Sequence, residues 1–295
     1  MPSLTSTRSD SHTVVDREQR VIAFMLGAPA GDPTWKDVGP SANSAMEEAE
    51  KECQFPPSNP KNGRGNYPVL STGFSWGGGP PKPSNIPNNN KTHQRVLSRL
   101  VLHRSFGRIS GHTNAGVSTG APRMYRHLDE VLGDIRKNDP SLRKPFSNSV
   151  FPVATFNFGP SATTVPHRDS RNVPYGWCAV TALGNFDYKR GGHLILWDLK
   201  ILIEFPPGST ILLPSSVVTH SNTCIQPGET RRSFTQHCAG SLVRWWMHGF
   251  RTEAAMQSED PMLAEKVRSA AGGRWKEALN YFSKWPALAK DMATL

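Results

Sequence analysis

The stretch 150-VFPVATFNFGPSATTVPHRDSRNVPYGWCAVTAL-183 decides the fold that we expect for this chain. It contains two runs rich in β-branched and aromatic residues, 151–158 and 176–183, which are separated by turn-forming Gly and Pro. Further short runs of this kind follow at 193–197, 201–205, 210–213, 217–220, 231–238 and 242–247. Short strands with turn residues at this spacing are typical of a sandwich or jelly roll. We therefore predict a β-rich catalytic core over residues 150–251.

The sequence on either side of this core has a different character. Residues 1–15 are rich in Ser and Thr, and we predict a disordered tail there. Residues 16–149 combine helical periodicity with a long Pro-, Gly- and Asn-rich stretch at 54–93. This pattern predicts a helical and loop-rich extension that packs on the core. With a C-terminal helical segment predicted over residues 252–295, the fold class is α+β.

Helical periodicity is strongest in four stretches of the extension. Apolar residues recur in them at the spacing of three and four residues that places side chains on one helix face. The predicted helices cover residues 16–26, 43–53, 94–103 and 122–138. Pro122 lies at the first turn of the last helix, where proline is tolerated.

The bulk composition excludes several classes of protein. The chain has 295 residues and four cysteines without CxxC spacing, which argues against a zinc knuckle and against a secreted disulfide framework. The apolar run at 21–26 is too short for a membrane span or a signal-peptide core. We therefore expect an intracellular protein that has no membrane partner.

The formal net charge of +10 is concentrated in one part of the chain. Residues 92–251 hold 19 basic and 9 acidic side chains, whereas the two flanking parts are balanced. A positive field over the core favours an anionic substrate such as nucleic acid, and ordinary solubility charge is the alternative. The basic residues of the extension either track phosphates or form a solvated helix face: Arg123, Arg126, Arg136, Lys137, Arg143 and Lys144.

The motif Pro166-His167-Arg168-Asp169 carries the first chemical signal. On a strand, His167 and Asp169 point to the same face and present an imidazole beside a carboxylate. His220, the last residue of the strand predicted at 217–220, supplies a third ligand. Two histidines and one carboxylate leave open positions on one face of a metal, as in non-haem Fe(II) oxygenases. The three residues are therefore the predicted metal ligands and the catalytic centre.

A second signal follows the third ligand along the chain. Arg231 and Ser233 share one face of a predicted strand, so a guanidinium and a hydroxyl can together bind the distal carboxylate of 2-oxoglutarate. Only one of two consecutive arginines can face inward. We choose Arg231 because it shares a face with Ser233, and Arg232 is the alternative.

Several short motifs accompany these residues: TFNFGP at 155–160, GGHL at 191–194, PPGST at 206–210, HSN at 220–222 and RRSFTQ at 231–236. Together with the HRD motif and Asn172, they resemble the fungal branch of the TET/JBP-like dioxygenases over about residues 66–250. The chain departs from the commonest fungal pattern at Arg232 and His237, where aromatic residues are more usual.

The resemblance implies a double-stranded β-helix that uses Fe(II), 2-oxoglutarate and O₂. It also implies oxidation of a methylated base in DNA, most typically 5-methylcytosine to 5-hydroxymethylcytosine and further oxidised forms. The resemblance also keeps N6-methyladenine open as the substrate, because similar fungal proteins act on this base. With DNA as the partner, we expect a monomeric protein of the nucleus.

Five further residues are candidates for binding the co-substrate or the base. Asn157 is assigned to the co-substrate and Asn172 to the base, although Asn at such positions is often only a turn former. His237 lies on the strand face of Arg231 and can stack on a base, or it is an interior histidine. Tyr175 can line the pocket or belong to the core. Trp76 can belong to a DNA-contacting loop or to a linker.

Two other functions are compatible with the sequence. The first is a 2-oxoglutarate oxygenase that acts on a protein, an RNA or a small molecule. The second is a non-catalytic DNA-binding module with a vestigial metal site. The alignment of three ligands with Arg231 and Ser233 argues against the second, because a binding module does not need these groups together.

Overall fold

The computed structural model describes residues 10–56 and 63–295, together with the backbone of residues 3–5. The strands are β1 (Ser3–Thr5), β2 (His12–Val15), β3 (Val21–Leu26), β4 (Val69–Ser75), β5 (Ser84–Asn85), β6 (Val153–Asn157), β7 (Cys178–Asn185), β8 (Leu194–Leu196), β9 (Ile201–Glu204), β10 (Thr210–Leu213), β11 (His220–Asn222) and β12 (Thr230–His237). They form two sheets within this part of the chain. The larger has the order β2-β3-β10-β7-β12-β6-β4-β5, and its neighbouring strands are antiparallel. The smaller has the order β1-β9-β8-β11.

The helices lie before, between and after these strands. They are α1 (Val38–Cys53), α2 (Lys91–Leu102), α3 (Arg104–Gly120), α4 (Pro122–Asn138), α5 (Gly240–Met247), α6 (Glu253–Glu259), α7 (Pro261–Ser269), α8 (Arg274–Leu279) and α9 (Leu288–Met292). Within the described residues, none of them is long and apolar enough to cross a membrane.

One apolar cluster fills the space between the two sheets. The larger sheet contributes buried residues such as Ala182 and Ile211, and the smaller sheet contributes Leu196 and Ile203. Side chains alternate between the two faces of a strand, so only every second residue of each strand reaches this interior. The inner faces of the two sheets therefore bound the space in which a site can form.

A second cluster covers the outer face of the larger sheet. Phe156 of β6 and Phe234 of β12 pack against Phe106 of α3 with ring centroids 5.0 Å apart, and Met46 of α1 belongs to the same cluster. Burying one such side chain contributes about 1.5–3 kcal/mol. The helices therefore hold the larger sheet from outside, and the polar residues of β12 that face inward are left for the site.

The helix predictions at 43–53, 94–103 and 122–138 are confirmed as α1, α2 and α4. The helix predicted at 16–26 is wrong, because residues 21–26 form β3. The buried residues there are Val21, Ala23 and Met25, which is the two-residue period of a strand.

Two other expectations are corrected. The tail predicted to be disordered over 1–15 contains β2, which pairs with β3, while residues 1–2 and 6–9 lie outside the described part. The strand predicted at 242–247 is helix α5. Leu242 and Val243 are both buried, which a strand with one buried face cannot achieve for consecutive residues.

Helix α3 is absent from the sequence prediction because it is rich in Gly, Ser and Thr, which are weak helix formers. Its glycines serve close packing. A Cβ at Gly116 would collide with the side chain of Leu26, and a Cβ at Gly120 would meet Phe24 and Trp177 within 3.0 Å. The helix therefore lies tight against β3 and β10.

Candidate metal centre

The backbone brings His167, Asp169 and His220 together without a regular strand at the first two. His167 and His220 exchange two backbone hydrogen bonds of 3.1 and 3.0 Å in an isolated antiparallel bridge. The amide of Asp169 donates to the carbonyl of Ser215 at 2.9 Å. The predicted strand at the HRD motif is thus reduced to one bridge, but the two side chains still point into one site.

The donor atoms of these three residues form one compact cluster. One ligand atom from each lies within 4.8 Å of the others, and no other group of this kind occurs among residues 10–56 and 63–295. His167 Nε2 is 3.8 Å from Asp169 Oδ1, and the two imidazole centroids are 4.3 Å apart. The arrangement has the donor types and the spacing for one ion bound by two imidazoles and one carboxylate.

Backbone carbonyls set the tautomer of both histidines. His167 Nδ1 lies 2.8 Å from the carbonyl oxygen of Val165, and His220 Nδ1 lies 2.9 Å from that of Val218. A carbonyl oxygen only accepts, so each Nδ1 carries the proton and each Nε2 keeps a lone pair. Burial also lowers the pKa of His220, which favours the neutral form that binds metal.

Arg64 is a member of the site that the sequence analysis did not identify. One of its guanidinium nitrogens is 2.7 Å from Asp169 Oδ1, although half of the Arg64 side chain is exposed. The amide of Val165 donates to the carbonyl of Arg64 at 2.8 Å, which fixes the backbone of Arg64 beside the HRD motif. A lone arginine in a Gly- and Asn-rich stretch gives no periodic signal, so only the folded chain reveals it.

Arg231 is a buried cation with unused hydrogen-bonding capacity. It is 1% exposed, and its Nη1 donates to the carbonyl of Ala162. Its Nε and Nη2 have no hydrogen-bond partner among the described residues. Burial lowers the pKa of Arg231 to about 10, so the group is still charged at neutral pH. A buried charge of this kind requires an acceptor, and a carboxylate matches two guanidinium nitrogens.

Ser233 and Asn157 lie beside Arg231 on the same inner face. They are directly paired between β12 and β6, and Asn157 Nδ2 donates to Ser233 Oγ at 3.0 Å. Both are buried. This bond uses one acceptor position of the hydroxyl and leaves its proton free to donate to a ligand.

Arg232 faces the opposite side of the sheet. Its guanidinium is 2.7 Å from Glu50 and 3.1 Å from Glu47 of α1, and it also donates to Asn43 at 3.2 Å. Through these contacts the Arg232 guanidinium joins α1 to the larger sheet. Of the two consecutive arginines, Arg231 is therefore the one that reaches the interior with free nitrogens.

Asn172 and His237 also lie near the cluster. Asn172 pairs with Ala239 in an isolated bridge, and its amide nitrogen donates to Ser215 Oγ at 3.1 Å. His237 is partly exposed, and loss of hydration lowers its pKa while the charges of Asp169 and Arg64 act on it. Both residues therefore lie close to Asp169, and their binding of the base stays a prediction.

Tyr175 and Trp76 have other neighbours. The Tyr175 hydroxyl lies 2.8 Å from His127 Nε2. The Trp76 ring packs on Trp245 at 4.8 Å, and its indole nitrogen donates to the carbonyl of Pro80 at 3.1 Å. Within the described part of the chain, no contact joins either side chain to the three-residue cluster. These positions favour the core interpretation of Tyr175, and Trp76 packs against the same core through Trp245.

Five of the six basic residues proposed to track phosphates have side-chain partners within the protein, and two of these five bind the C-terminal segment. Arg123 forms an ion pair of 2.8 Å with Asp291, and Arg126 donates to Thr294. Both contacts hold the C-terminal segment on α4. An exposed basic residue nearer to the cluster is Arg171, which is two residues beyond Asp169.

No family model matches the chain, and no curated protein matches it in sequence. Among solved structures, NgTET1 in complex with 5mC DNA is similar with a TM-score of 0.54 and 14% identity, over 81% of this chain and 82% of that chain. A prolyl-4-hydroxylase from Pseudomonas putida has a TM-score of 0.36 at 15% identity, over 69% of this chain and 87% of its own. A 2OG-Fe(II) oxygenase family oxidoreductase from Burkholderia pseudomallei has a TM-score of 0.35 at 14% identity, over 72% of this chain and 93% of its own.

The likeness to NgTET1 shows a shared fold. The chain has the jelly-roll fold of the 2-oxoglutarate- and Fe(II)-dependent oxygenases, with a mixed helical and sheet architecture. The predicted α+β fold class with a double-stranded β-helix is therefore confirmed.

Proposed function

We propose that this protein is an Fe(II)- and 2-oxoglutarate-dependent dioxygenase that oxidises a methylated base in DNA, with 5-methylcytosine as the first candidate. One observation carries the proposal. A cluster of His167, Asp169 and His220 occurs in one jelly roll with a buried Arg231 that has two nitrogens without partners. A metal alone would explain the cluster, but the unpaired guanidinium also requires an anion.

Different residues of the chain would bind the metal and the co-substrate. His167 Nε2, His220 Nε2 and the Asp169 carboxylate would hold Fe(II). Arg231 and Ser233 would bind the distal carboxylate of 2-oxoglutarate through charge-assisted hydrogen bonds. Together, when bound, the metal and the co-substrate supply O₂ activation, and 2-oxoglutarate, O₂ and a methyl group become succinate, CO₂ and a hydroxymethyl group.

Neighbouring residues fix these groups in their orientation. Asn157 holds the Ser233 hydroxyl by donating to it at 3.0 Å, so the hydroxyl proton is directed away from Asn157. Arg64 compensates the negative charge of Asp169 from the solvent side. The apolar residues between the sheets, including Leu196 and Ile211, exclude water from the space behind the site.

DNA is the proposed substrate for two reasons. The solved structure of NgTET1, which shares the fold, contains 5mC DNA. The basic excess of this chain also lies in residues 92–251, the segment that carries the site. A base in a duplex has to leave the stack to reach a metal at the mouth of a jelly roll. His237 and Asn172 are the residues that we assign to that base.

We also propose that the protein belongs to the fungal branch of the TET/JBP-like dioxygenases. We also propose a nuclear location, because the substrate is chromosomal, and a monomeric state. N6-methyladenine is the second candidate base, because the fungal proteins that the sequence resembles include some that act on it.

The test is incubation of the iron-loaded protein with DNA that carries either 5-methylcytosine or N6-methyladenine, followed by mass spectrometry of the nucleosides. We expect 5-hydroxymethylcytosine together with succinate. Both products should disappear in His167→Ala and Asp169→Ala. His193→Ala is the matched control, because His193 is a histidine outside the cluster that contacts Thr223.

Two results would contradict parts of the proposal. Succinate formation without any oxidised base would exclude DNA bases and favour a protein, RNA or small-molecule substrate. Failure to bind Fe(II) and 2-oxoglutarate at all would exclude the enzyme class and favour the non-catalytic module.

A further inference from the structure

Three aromatic rings from distant parts of the chain meet beside the loop that follows the metal ligands. The Tyr281 ring stacks on Tyr175 at 4.4 Å and on His127 at 4.3 Å, with interplanar angles of 26° and 25°. The Tyr175 hydroxyl and His127 Nε2 are 2.8 Å apart. Burial lowers the pKa of His127 to about 4, so the three rings are uncharged at neutral pH. We call these residues the ring cluster.

The C-terminal segment that begins with Tyr281 is held firmly on the body of the protein. Arg123 of α4 binds both carboxylate oxygens of Asp291 at 2.8 and 2.9 Å, and Asp291 is buried. The backbone of the segment also donates from Trp285 to the carbonyl of Gln19 at 2.8 Å. Tyr281 therefore presents a ring whose position is set by contacts outside the metal site.

Tyr175 connects this ring to the loop formed by residues 170–177, which links Asp169 to β7. The first part of the loop has its own backbone support, because Val173 donates to Cys238 at 3.0 Å and Gly240 donates to Arg171 at 2.8 Å. In the second part, Pro174 is exposed, Tyr175 contacts His127, and Trp177 is buried in the core against α3. The second part of the loop therefore has two side-chain anchors, Trp177 and Tyr175, and the ring cluster is the one that the C-terminal segment supplies.

The metal ligands are supported independently of this loop. Asp169 is held by Ser215, and His167 is held by the bridge to His220. Loss of the ring cluster should therefore loosen the loop and leave the iron site in place. This separation distinguishes a positioning role from a general effect on folding.

The loop also presents a cation to the solvent. Arg171 is exposed, and within the described part of the chain its side chain has no hydrogen bond or ion pair. It lies two residues beyond a metal ligand and next to Asn172. A DNA strand whose base enters the site has to pass its phosphates close to this rim.

We infer that the C-terminal segment, through Tyr281 and Tyr175, positions the loop of residues 170–177 so that Arg171 contacts a phosphate of the DNA substrate. This inference rests on the proposed function for the identity of the anion. Tyr281 is a positioning residue that touches neither substrate nor metal, and Arg171 makes the contact.

Three variants of the full chain test the positioning role. Tyr281→Ala removes the ring, Tyr281→Phe keeps the stacking without the hydroxyl, and Trp285→Ala removes a half-exposed ring of the same segment outside the ring cluster. Three quantities are measured: hydrogen exchange of the peptide covering 170–177, the affinity for Fe(II), and KM and kcat with methylated DNA.

We expect Tyr281→Ala to speed exchange of the loop amides and to raise KM for DNA roughly tenfold, since two ring contacts are lost. Iron affinity and kcat should differ from the wild-type values by less than about twofold, which is less than the energy of one ring contact. Tyr281→Phe should restore wild-type exchange and KM, and Trp285→Ala should resemble the wild type.

Arg171→Ala tests the contact itself without disturbing any packing. We expect a severalfold higher KM and a slope of log KM against log salt that is reduced by about one phosphate contact. Loop exchange should be unchanged.

Unchanged exchange and KM in Tyr281→Ala would overturn the inference. Equal effects in Tyr281→Ala and Trp285→Ala would also overturn it, because they would indicate general loosening of the segment. If the loop loosens as expected but the wild-type enzyme oxidises no methylated base, the positioning role is supported and the proposed substrate fails.

Discussion

Arg231 and Arg232 are neighbours on β12, and their side chains point to opposite faces of the larger sheet. On the outer face, Arg232 is surrounded by Glu47, Glu50 and Asn43 of α1. On the inner face, Arg231 has one carbonyl acceptor and two nitrogens without a partner. The arginine on the outer face thus finds hydrogen-bond acceptors within the protein, whereas two nitrogens of the arginine on the inner face find none.

This difference separates a stabilising residue from a binding residue. A buried cation without a counter-charge costs folding free energy, whereas a buried cation paired with carboxylates contributes to holding two elements together. The inner face of β12 continues with Ser233 and His237, which are polar, while the outer face continues with Phe234, which belongs to an apolar cluster. The outer face therefore maintains the fold, and the inner face is available for ligands.

The largest expected effect comes from Arg231→Met, which removes the cation and keeps a similar volume. The affinity for 2-oxoglutarate should fall by at least about 100-fold, because two charge-assisted hydrogen bonds of about 1.5 kcal/mol or more each are lost. The free energy of unfolding should stay equal or rise, since an uncompensated buried charge is removed. Titration of the co-substrate under anaerobic conditions and chemical denaturation measure the two quantities. A wild-type affinity for 2-oxoglutarate in this variant would contradict the claim that the inner face binds the co-substrate.

Arg232→Met is the matched substitution on the outer face. We expect the free energy of unfolding to fall by about 2–3 kcal/mol, because Glu47 and Glu50 lose their partner at a partly buried position. The affinity for 2-oxoglutarate in the folded protein should change less than about twofold, which corresponds to less than the free energy of one hydrogen bond. Denaturant unfolding and the same titration provide the comparison. A large loss of co-substrate affinity here, with stability unchanged, would assign the two arginines the other way round.

Ser233→Ala sharpens the comparison within the inner face. We expect the affinity for 2-oxoglutarate to fall about 10-fold or more, which corresponds to one hydrogen bond of about 1.5 kcal/mol or more to a charged group. Asn157 also loses its acceptor, so Asn157→Ala in the Ser233→Ala background should have a smaller effect than it has alone. A double-mutant cycle on the dissociation constant measures this coupling. Strict additivity would show that the two residues act independently.

Glu50→Gln gives the smallest expected effect and tests the outer face alone. The shorter of the two ion pairs of Arg232 becomes a hydrogen bond to an uncharged amide oxygen, so the free energy of unfolding should fall by about 1 kcal/mol. Binding of 2-oxoglutarate and of iron should be the same as in the wild type. Thermal denaturation in low and high salt measures the change, which should shrink as salt increases.

The sequence predicts the metal centre because its three ligands belong to two short local motifs. The two-residue step from His167 to Asp169 and the third ligand at His220 are visible without the fold, and the cluster of donor atoms lies where this spacing indicates. The choice between Arg231 and Arg232 also follows from strand geometry, since Arg231 shares a face with Ser233. Local periodicity is sufficient at these positions.

Arg64 could not be predicted in the same way. Its contact with Asp169 joins two segments far apart in the sequence, and no pattern around Arg64 indicates which partner it finds. Strand β3 and helix α5 were assigned to the wrong class because short apolar runs fit either period until their buried neighbours are known. Helix α3 has weak intrinsic propensity and is stabilised by tertiary packing of its glycines against β3.

The most direct test of the account is the stoichiometry of the reaction with DNA that carries 5-methylcytosine. In the first round of oxidation, the iron-loaded wild-type enzyme should form succinate and 5-hydroxymethylcytosine in equal amounts. Arg232→Met should keep that ratio and the wild-type rate, whereas Arg231→Met should form both products at least about tenfold more slowly at a 2-oxoglutarate concentration that just saturates the wild type. Equal rates of product formation by Arg231→Met and the wild type under those conditions would contradict the central claim that the inner face of β12 binds the co-substrate.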